Sequence, residues 1–241
     1  MMIKTKAVVL RSIKFGDSKL IVDTFTEQQG RVSFVCRIPK TSHGKIKKQM
    51  FQPLSLLEVT FNHRPTVQLQ HLKDVRILSP YTSLPFDSFK LGISLFLAEF
   101  LYYATKGEQY NNPLYQYIET GLLWLDGCKR DFSNFHLVFM MKLSLFLGFY
   151  PNLDDYHPGD YFDLRQACFT SSLPLHENFL QAHEAEKISL LMRMNFETMR
   201  LFEFSRTERN RCVDLMLSYY RLHIPGFPEL RSLPVLKTLF V

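Results

Sequence analysis

After Pro80 the spacing of apolar residues changes from every second residue to a period of 3.6, and this step limits the chain to a β-rich head followed by a helical body. Five strand-like runs fill residues 1–79, at 5–14, 19–26, 31–38, 53–62 and 66–78. The third alternates: Val32, Phe34, Cys36 and Ile38 point one way, Arg31, Ser33, Val35 and Arg37 the other. At about 3.3 Å per residue, Arg31 and Arg37 then project from one face roughly 20 Å apart. Turns are expected at Phe15-Gly16-Asp17-Ser18 and Gln28-Gln29-Gly30, and a hairpin through Asn62-His63-Arg64-Pro65.

Five short antiparallel strands with one long connection suit a small barrel. An oligonucleotide-binding (OB) barrel fits, and on strand count an SH3-like barrel fits nearly as well. Beyond Pro80 helices are expected at about 87–105, 113–126, 133–148, 184–203 and 206–222. Asn112 caps the second with Pro113 in its first turn, and Ser205-Arg206-Thr207-Glu208 forms a capping box for the last, which Pro225 stops. Residues 150–178 break the pattern as an irregular, acid-rich insertion. The expected fold class is α+β: a five-stranded OB-fold barrel over 1–79 and an all-α domain over 80–241.

Charge follows the same boundary. Residues 1–79 hold 14 of the 29 basic and 5 of the 23 acidic residues, a net +9, while the remaining 162 residues carry 15 and 18, a net −3. A compact cationic β-module suits a polyanion, because lysine and arginine contacts with phosphates release condensed counterions. The expected phosphate-contact set is Arg11, Lys14, Arg31, Arg37, Lys40, Lys45, Lys47, Lys48, Arg64 and Lys73. The segment 39–49 reads as a mobile cationic loop. His43 and His63 lie in basic loops within reach of phosphate, and Phe15, Phe51 and Phe61 near strand ends either meet bases or pack the barrel.

Other chemistry has little support. Phosphate-cradling glycine loops, G-x-S-x-G and H-E-x-x-H are all missing, so no enzyme activity and no cofactor are expected. Cys36, Cys128, Cys168 and Cys212 form no C-x-x-C pair, and reduced thiols are expected. Asp154, Asp155, Asp160, Asp163 and His157 crowd the insertion without the spacing of an established metal loop. Phe96, Phe100 and Tyr103 read as a core stripe on the first helix. Arg206, Arg209 and Arg211 read as a solvated face, with an acceptor patch for an acidic peptide as the second reading. No secretory signal or membrane span is apparent, so a cytoplasmic protein without membrane association is expected.

Several motifs resemble those of the bacterial DNA repair and recombination mediator family RecO. They are Ala7-Val8-Val9-Leu10-Arg11-Ser12 with its Phe15–Ser18 turn, Thr24-Phe25-Thr26-Glu27-Gln28-Gln29-Gly30-Arg31, Phe51-Gln52-Pro53-Leu54, Leu147-Gly148-Phe149-Tyr150-Pro151 and Tyr219-Tyr220-Arg221-Leu222-His223. The resemblance implies an OB-fold on a helical domain that binds single- and double-stranded DNA and anneals complementary strands without ATP. It also implies joint work with RecR and with single-stranded DNA-binding protein, known for its acidic C-terminal tail, in loading recombinase. Many relatives carry a four-cysteine zinc knuckle, but Tyr156 and Gly159 stand near its first pair here and Cys168 alone remains, so no zinc is expected. An RNA-binding or ribosome-associated OB protein is the alternative reading.

Overall fold

The computed structural model describes residues 1–38, 46–154 and 156–239. Lys40, His43, Lys45 and Asp155 lie outside them. β1 (Met2–Phe15), β2 (Lys19–Thr26), β3 (Gly30–Arg37), β4 (Leu56–Asn62) and β5 (Leu69–Ser79) close a barrel in the order β1-β2-β3-β5-β4. This is the OB-fold. The strands are not all antiparallel as expected: β3 and β5 pair in parallel, Ser33 with Leu69 and Val35 with His71, and that pair closes the sheet. β1 serves both sides of the barrel because it is long, pairing with β4 through Val8 and with β2 from Ala7 to Phe15.

Inward alternation builds the barrel core from Val9, Leu20, Val22, Val32, Phe34, Cys36, Val59 and Phe61, with Phe34 and Phe61 edge-on at 4.9 Å. A short 3-10 turn, Lys48–Phe51, lays Phe51 into the same core. Phe51 and Phe61 are therefore packing residues, and Phe15 alone of the three is exposed, at 52%. Leu54 has a left-handed φ of 63° although it is a buried leucine. Its N–H donates to Val9 O (2.7 Å) and its carbonyl accepts from the Tyr81 hydroxyl (2.7 Å), contacts that hold the strained turn.

The compact unit built on the barrel continues past residue 79 through Gly127 and takes in residues 230–236. It contains α1 (Ser88–Ala104) and α2 (Asn112–Gly127). Asp87 caps α1 through the N–H groups of Phe89 and Lys90. Asn111, rather than Asn112, caps α2, its Oδ1 accepting from Leu114 N at 3.1 Å. Phe96 and Phe100 are fully buried, as the stripe on α1 requires, but Tyr103, its third expected member, is only half-buried.

Asp126 ties the segment leading into α1, accepting from Thr82 N, Ser83 N and Leu84 N at 2.8–3.1 Å. Burial pushes this carboxyl up, but the backbone N–H groups and the Thr82 hydroxyl outweigh it and hold it below its ordinary value. Its contribution is therefore complete above the unfolded carboxyl value, about 3.9, and is lost as pH falls through the lower folded value. The urea midpoint of Asp126→Asn is expected to fall less than that of the wild type between pH 5 and pH 3. Equal falls would refute this.

The second unit begins at Cys128 and holds α3 (Phe135–Phe146), α4 (Ala182–Arg193) and α5 (Arg206–His223). α3 is buried almost all round. The capping box at Ser205 and Glu208 is present. The helix expected over 184–203 ends at Arg193, where Met194 turns extended (ψ 145°) and Asn195 Oδ1 takes the N–H groups of Glu197 and Thr198 at 2.9 and 2.7 Å. The apolar spacing outruns the helix because Met194 and Met199 are still buried. Leu233–Thr238 forms a further helix, α6, of only six residues, too short to show a period.

The insertion is more regular than expected, with β6 (Tyr161–Asp163) flanked by β7 (Cys168–Thr170) and β8 (Phe179–Leu180). Tyr156 and Phe162 pack on Phe169 at 4.6 and 4.9 Å. Asp160 accepts from His157 N, and Asp163 from Arg165 N, Gln166 N and the His176 ring, so these carboxylates brace turns. Among the described residues no three His, Cys, Asp or Glu side chains are placed to hold a metal ion. No described helix is long and apolar enough to cross a membrane.

Candidate nucleic-acid interface

On the outward face of β1, β2 and β3 the strand register sets side chains in cross-strand rows. Phe15, Lys19 and Arg37 form one row, and Ile13, Ile21, Val35 and His71 form the next. Arg11 begins a third, opposite Asp23 and Ser33. Phe15, Ile13, Lys19, Arg37 and Arg11 are all exposed. The face thus offers aliphatic and aromatic surface framed by cations, the combination that grips a strand by its phosphates while bases lie against apolar side chains.

At the β1–β2 hairpin Lys14, Lys19 and Lys48 converge on a cleft of about 320 Å³ with Asp17, Ser18, Leu20 and Ile38. Lys47 is exposed one residue before Lys48. Lys73 lies two residues beyond His71 and is exposed, at the β5 irregularity where Leu72 pairs with Phe61 and Asp74 with Thr60. Arg64 is exposed in the β4–β5 hairpin, its backbone held by the Gln70 amide.

Carboxylates divide the barrel's cations into two populations. Glu58 pairs with Lys4 and Arg76, and Lys6 pairs with Glu119 at 3.1 Å. Lys4 and Arg76 hold the Glu58 carboxyl below its ordinary value. Among the described residues Arg11, Lys14, Lys19, Arg37, Lys47, Lys48, Arg64 and Lys73 have no ion pair. Of the acids on this face, Asp23 is buried and accepts the Ser33 hydroxyl.

Arg31 is placed differently from its partner Arg37. Its guanidinium is half-buried, donates to Tyr102 O (3.1 Å) and Thr105 Oγ1 (3.3 Å) and lies over the Tyr102 ring at 4.3 Å. Burial pulls its proton affinity down from the ordinary value. The outward alternation of β3 is as the pattern suggests, but the end of α1 covers its first residue. Sequence reasoning also passed over Lys19, although its place opposite Phe15 across the three-residue turn Gly16-Asp17-Ser18 was readable.

Among the three arginines that open α5, Arg209 is buried and donates to Asn134 Oδ1 and Phe204 O. Arg206 donates to Lys237 O and Arg211 pairs with Glu184, so this helix start is not simply a solvated face. Of the four free cysteines, burial raises the Cys36 and Cys212 thiols to about 11.

The closed OB barrel places the protein in a class whose members hold oligonucleotides or oligosaccharides, and this barrel carries a partly apolar, cationic face. Sequence comparison narrows the class. The family description "Recombination protein O N terminal" matches residues 1–81, and "Recombination protein O C terminal" matches residues 85–234. The chain is 52% identical to the "DNA repair protein RecO" of Bacteroides fragilis, 50% to that of Phocaeicola vulgatus and 34% to that of Flavobacterium johnsoniae, each match covering 100% of both chains. The chain belongs to the RecO family, and its role lies in DNA repair and recombination.

Proposed function

We propose that this protein is a non-enzymatic mediator that binds single- and double-stranded DNA on the β1–β2–β3 face of its barrel and anneals complementary strands without ATP. The observation that carries this reading is the sorting of barrel cations: Glu58 and Glu119 engage Lys4, Lys6 and Arg76 in ion pairs, while Arg11, Lys14, Lys19, Arg37 and Lys48 are left without ion pairs among the described residues. The proposed contact set also keeps Lys40, Lys45, Lys47, Arg64 and Lys73, with Arg31 acting mainly to position the end of α1.

Two strands repel through their phosphates, and a surface that neutralises both lowers the barrier to their meeting without fuel. Backbone contacts of this kind read little sequence. Family resemblance supports work beside RecR and single-stranded DNA-binding protein, with its acidic tail, during recombinase loading in the cytoplasm. With five phosphates neutralised, the affinity for an oligo(dT) strand is expected to fall by about 3.5 log units per tenfold rise in salt. A slope near zero would sink the proposal. Matched DNA and RNA strands should compete about equally, whereas strong preference for RNA would point to recognition of the 2′-hydroxyl.

A further inference from the structure

Beside the barrel face, β1 and α1 border a cleft of about 410 Å³ that shares only Arg11 with the binding rows. Leu10, Pro53, Leu95 and Ala98 supply its apolar surface, and Tyr102 and Tyr103 form an aromatic wall with ring centroids 4.9 Å apart. Arg11, Ser12 and Arg231 stand at its polar side. Arg11 lies over the Tyr102 ring at 5.1 Å. Glu99 is the carboxylate among the lining residues, and it accepts from Arg231 N (3.0 Å), Ser232 N (2.8 Å) and Ser232 Oγ (2.5 Å). Its charge is spent on those donors rather than on either arginine side chain.

We propose that this cleft takes one nucleotide of a single DNA strand, its base against Leu95 and the tyrosine wall and its phosphate between Arg11 and Arg231. The proposal rests on the barrel-face reading above and extends it. Position argues for it, because Arg11 begins the third row of that face, so a strand lying across the rows meets the cleft at their end. Size argues for it as well, since the volume lies within the usual range of small-ligand pockets, about 300–1,000 Å³. The chemistry fits the same ligand: a base needs an apolar floor and a π-surface, worth stacking energy whatever its identity, and its phosphate needs a fixed guanidinium. Leu95 is 44% exposed, an apolar wall that a base would cover. An acidic peptide with an apolar side chain would use similar groups, but it lacks the continuity with the DNA face.

The test uses the full chain, an oligo(dT) strand carrying 5-iodo-deoxyuridine, ultraviolet cross-linking and peptide mass mapping, beside salt-dependent binding by anisotropy. Cross-links are expected on Tyr102 or Tyr103. Arg231→Ala should lower affinity about threefold to tenfold and reduce the salt slope by about 0.7. Leu95→Trp, which fills the cleft from an exposed position, should cut the cross-link yield several-fold while leaving the salt slope unchanged. Cross-links confined to the barrel face, with both variants binding as the wild type, would overturn the cleft alone if reversal of Lys14, Lys19 and Arg37 still abolishes binding. Should that reversal also change nothing, the barrel-face reading falls with it. Loss of binding to a short acidic peptide in Arg231→Ala, with oligonucleotide binding untouched, would equally overturn the nucleotide assignment.

Discussion

Reversing Lys14, Lys19 and Arg37 to glutamate together is expected to lower affinity for a single strand at least a hundredfold at about 0.1 M salt and to cut the salt slope from about 3.5 to about 1.4 or less. Three of five phosphate contacts disappear, and each contributes about 0.7 to the slope on single strands. Electrostatic repulsion from the new carboxylates adds to the loss. The three side chains are exposed and have no ion pair among the described residues, so folding should survive the change. Lys4→Gln with Arg76→Gln supplies the control, because Glu58 engages both cations and offsets one of their two charges, so their removal should cut the slope far less than the reversal does. A slope that responds equally to both sets would mean that the barrel binds through diffuse charge and has no preferred face.

Gly30→Ala is expected to destabilise the protein by about 3 kcal/mol or more, a large share of a typical stability of about 5–15 kcal/mol. Gly30 has a φ of +63°, which costs a residue with a Cβ about 1–2 kcal/mol by itself. The added Cβ would also meet Gln109 O at 2.1 Å and Glu108 O at 2.7 Å, both rigid backbone atoms. Relief requires the 105–109 turn to move away. That movement breaks the Arg31 N–H bond to Glu108 O (3.0 Å) and loosens the Arg31 guanidinium from Tyr102 and Thr105. Gly16→Ala is the matched control, having the same sign of φ (+65°) with nothing within 4 Å of the added atom. Urea midpoints that coincide for the two variants would refute the close-packing argument.

The motifs that carry the family resemblance turn out to be mostly architectural. Thr26 Oγ1 donates to Gly30 O and accepts from Gln29 N, closing the turn that Gly30 ends. Leu54 buttresses β1. Phe149 stacks on His223 at 4.9 Å and meets Tyr219 and Tyr220 edge-on, so the 147–151 and 219–223 motifs are the two halves of one packing contact. Gly148, at φ +84°, ends α3 so that Phe149 can turn back toward α5. These motifs recognise a fold, and the proposed binding face is argued from register and charge.

The sequence alone determined the inward face of β3, the helical body and the cationic excess of the head, because alternation, helical period and charge are local properties. Only the tertiary structure decided the parallel β3–β5 closure, the small sheet made of strands of two or three residues, and which cations stand free. Arg31 and Arg37 share one strand face and one chemistry, yet one is clasped by Tyr102 and Thr105 and the other is open to solvent. That difference comes from a helix end more than 70 residues away in the chain, and contacts at such range depend on which surfaces bury one another, which no local spacing encodes.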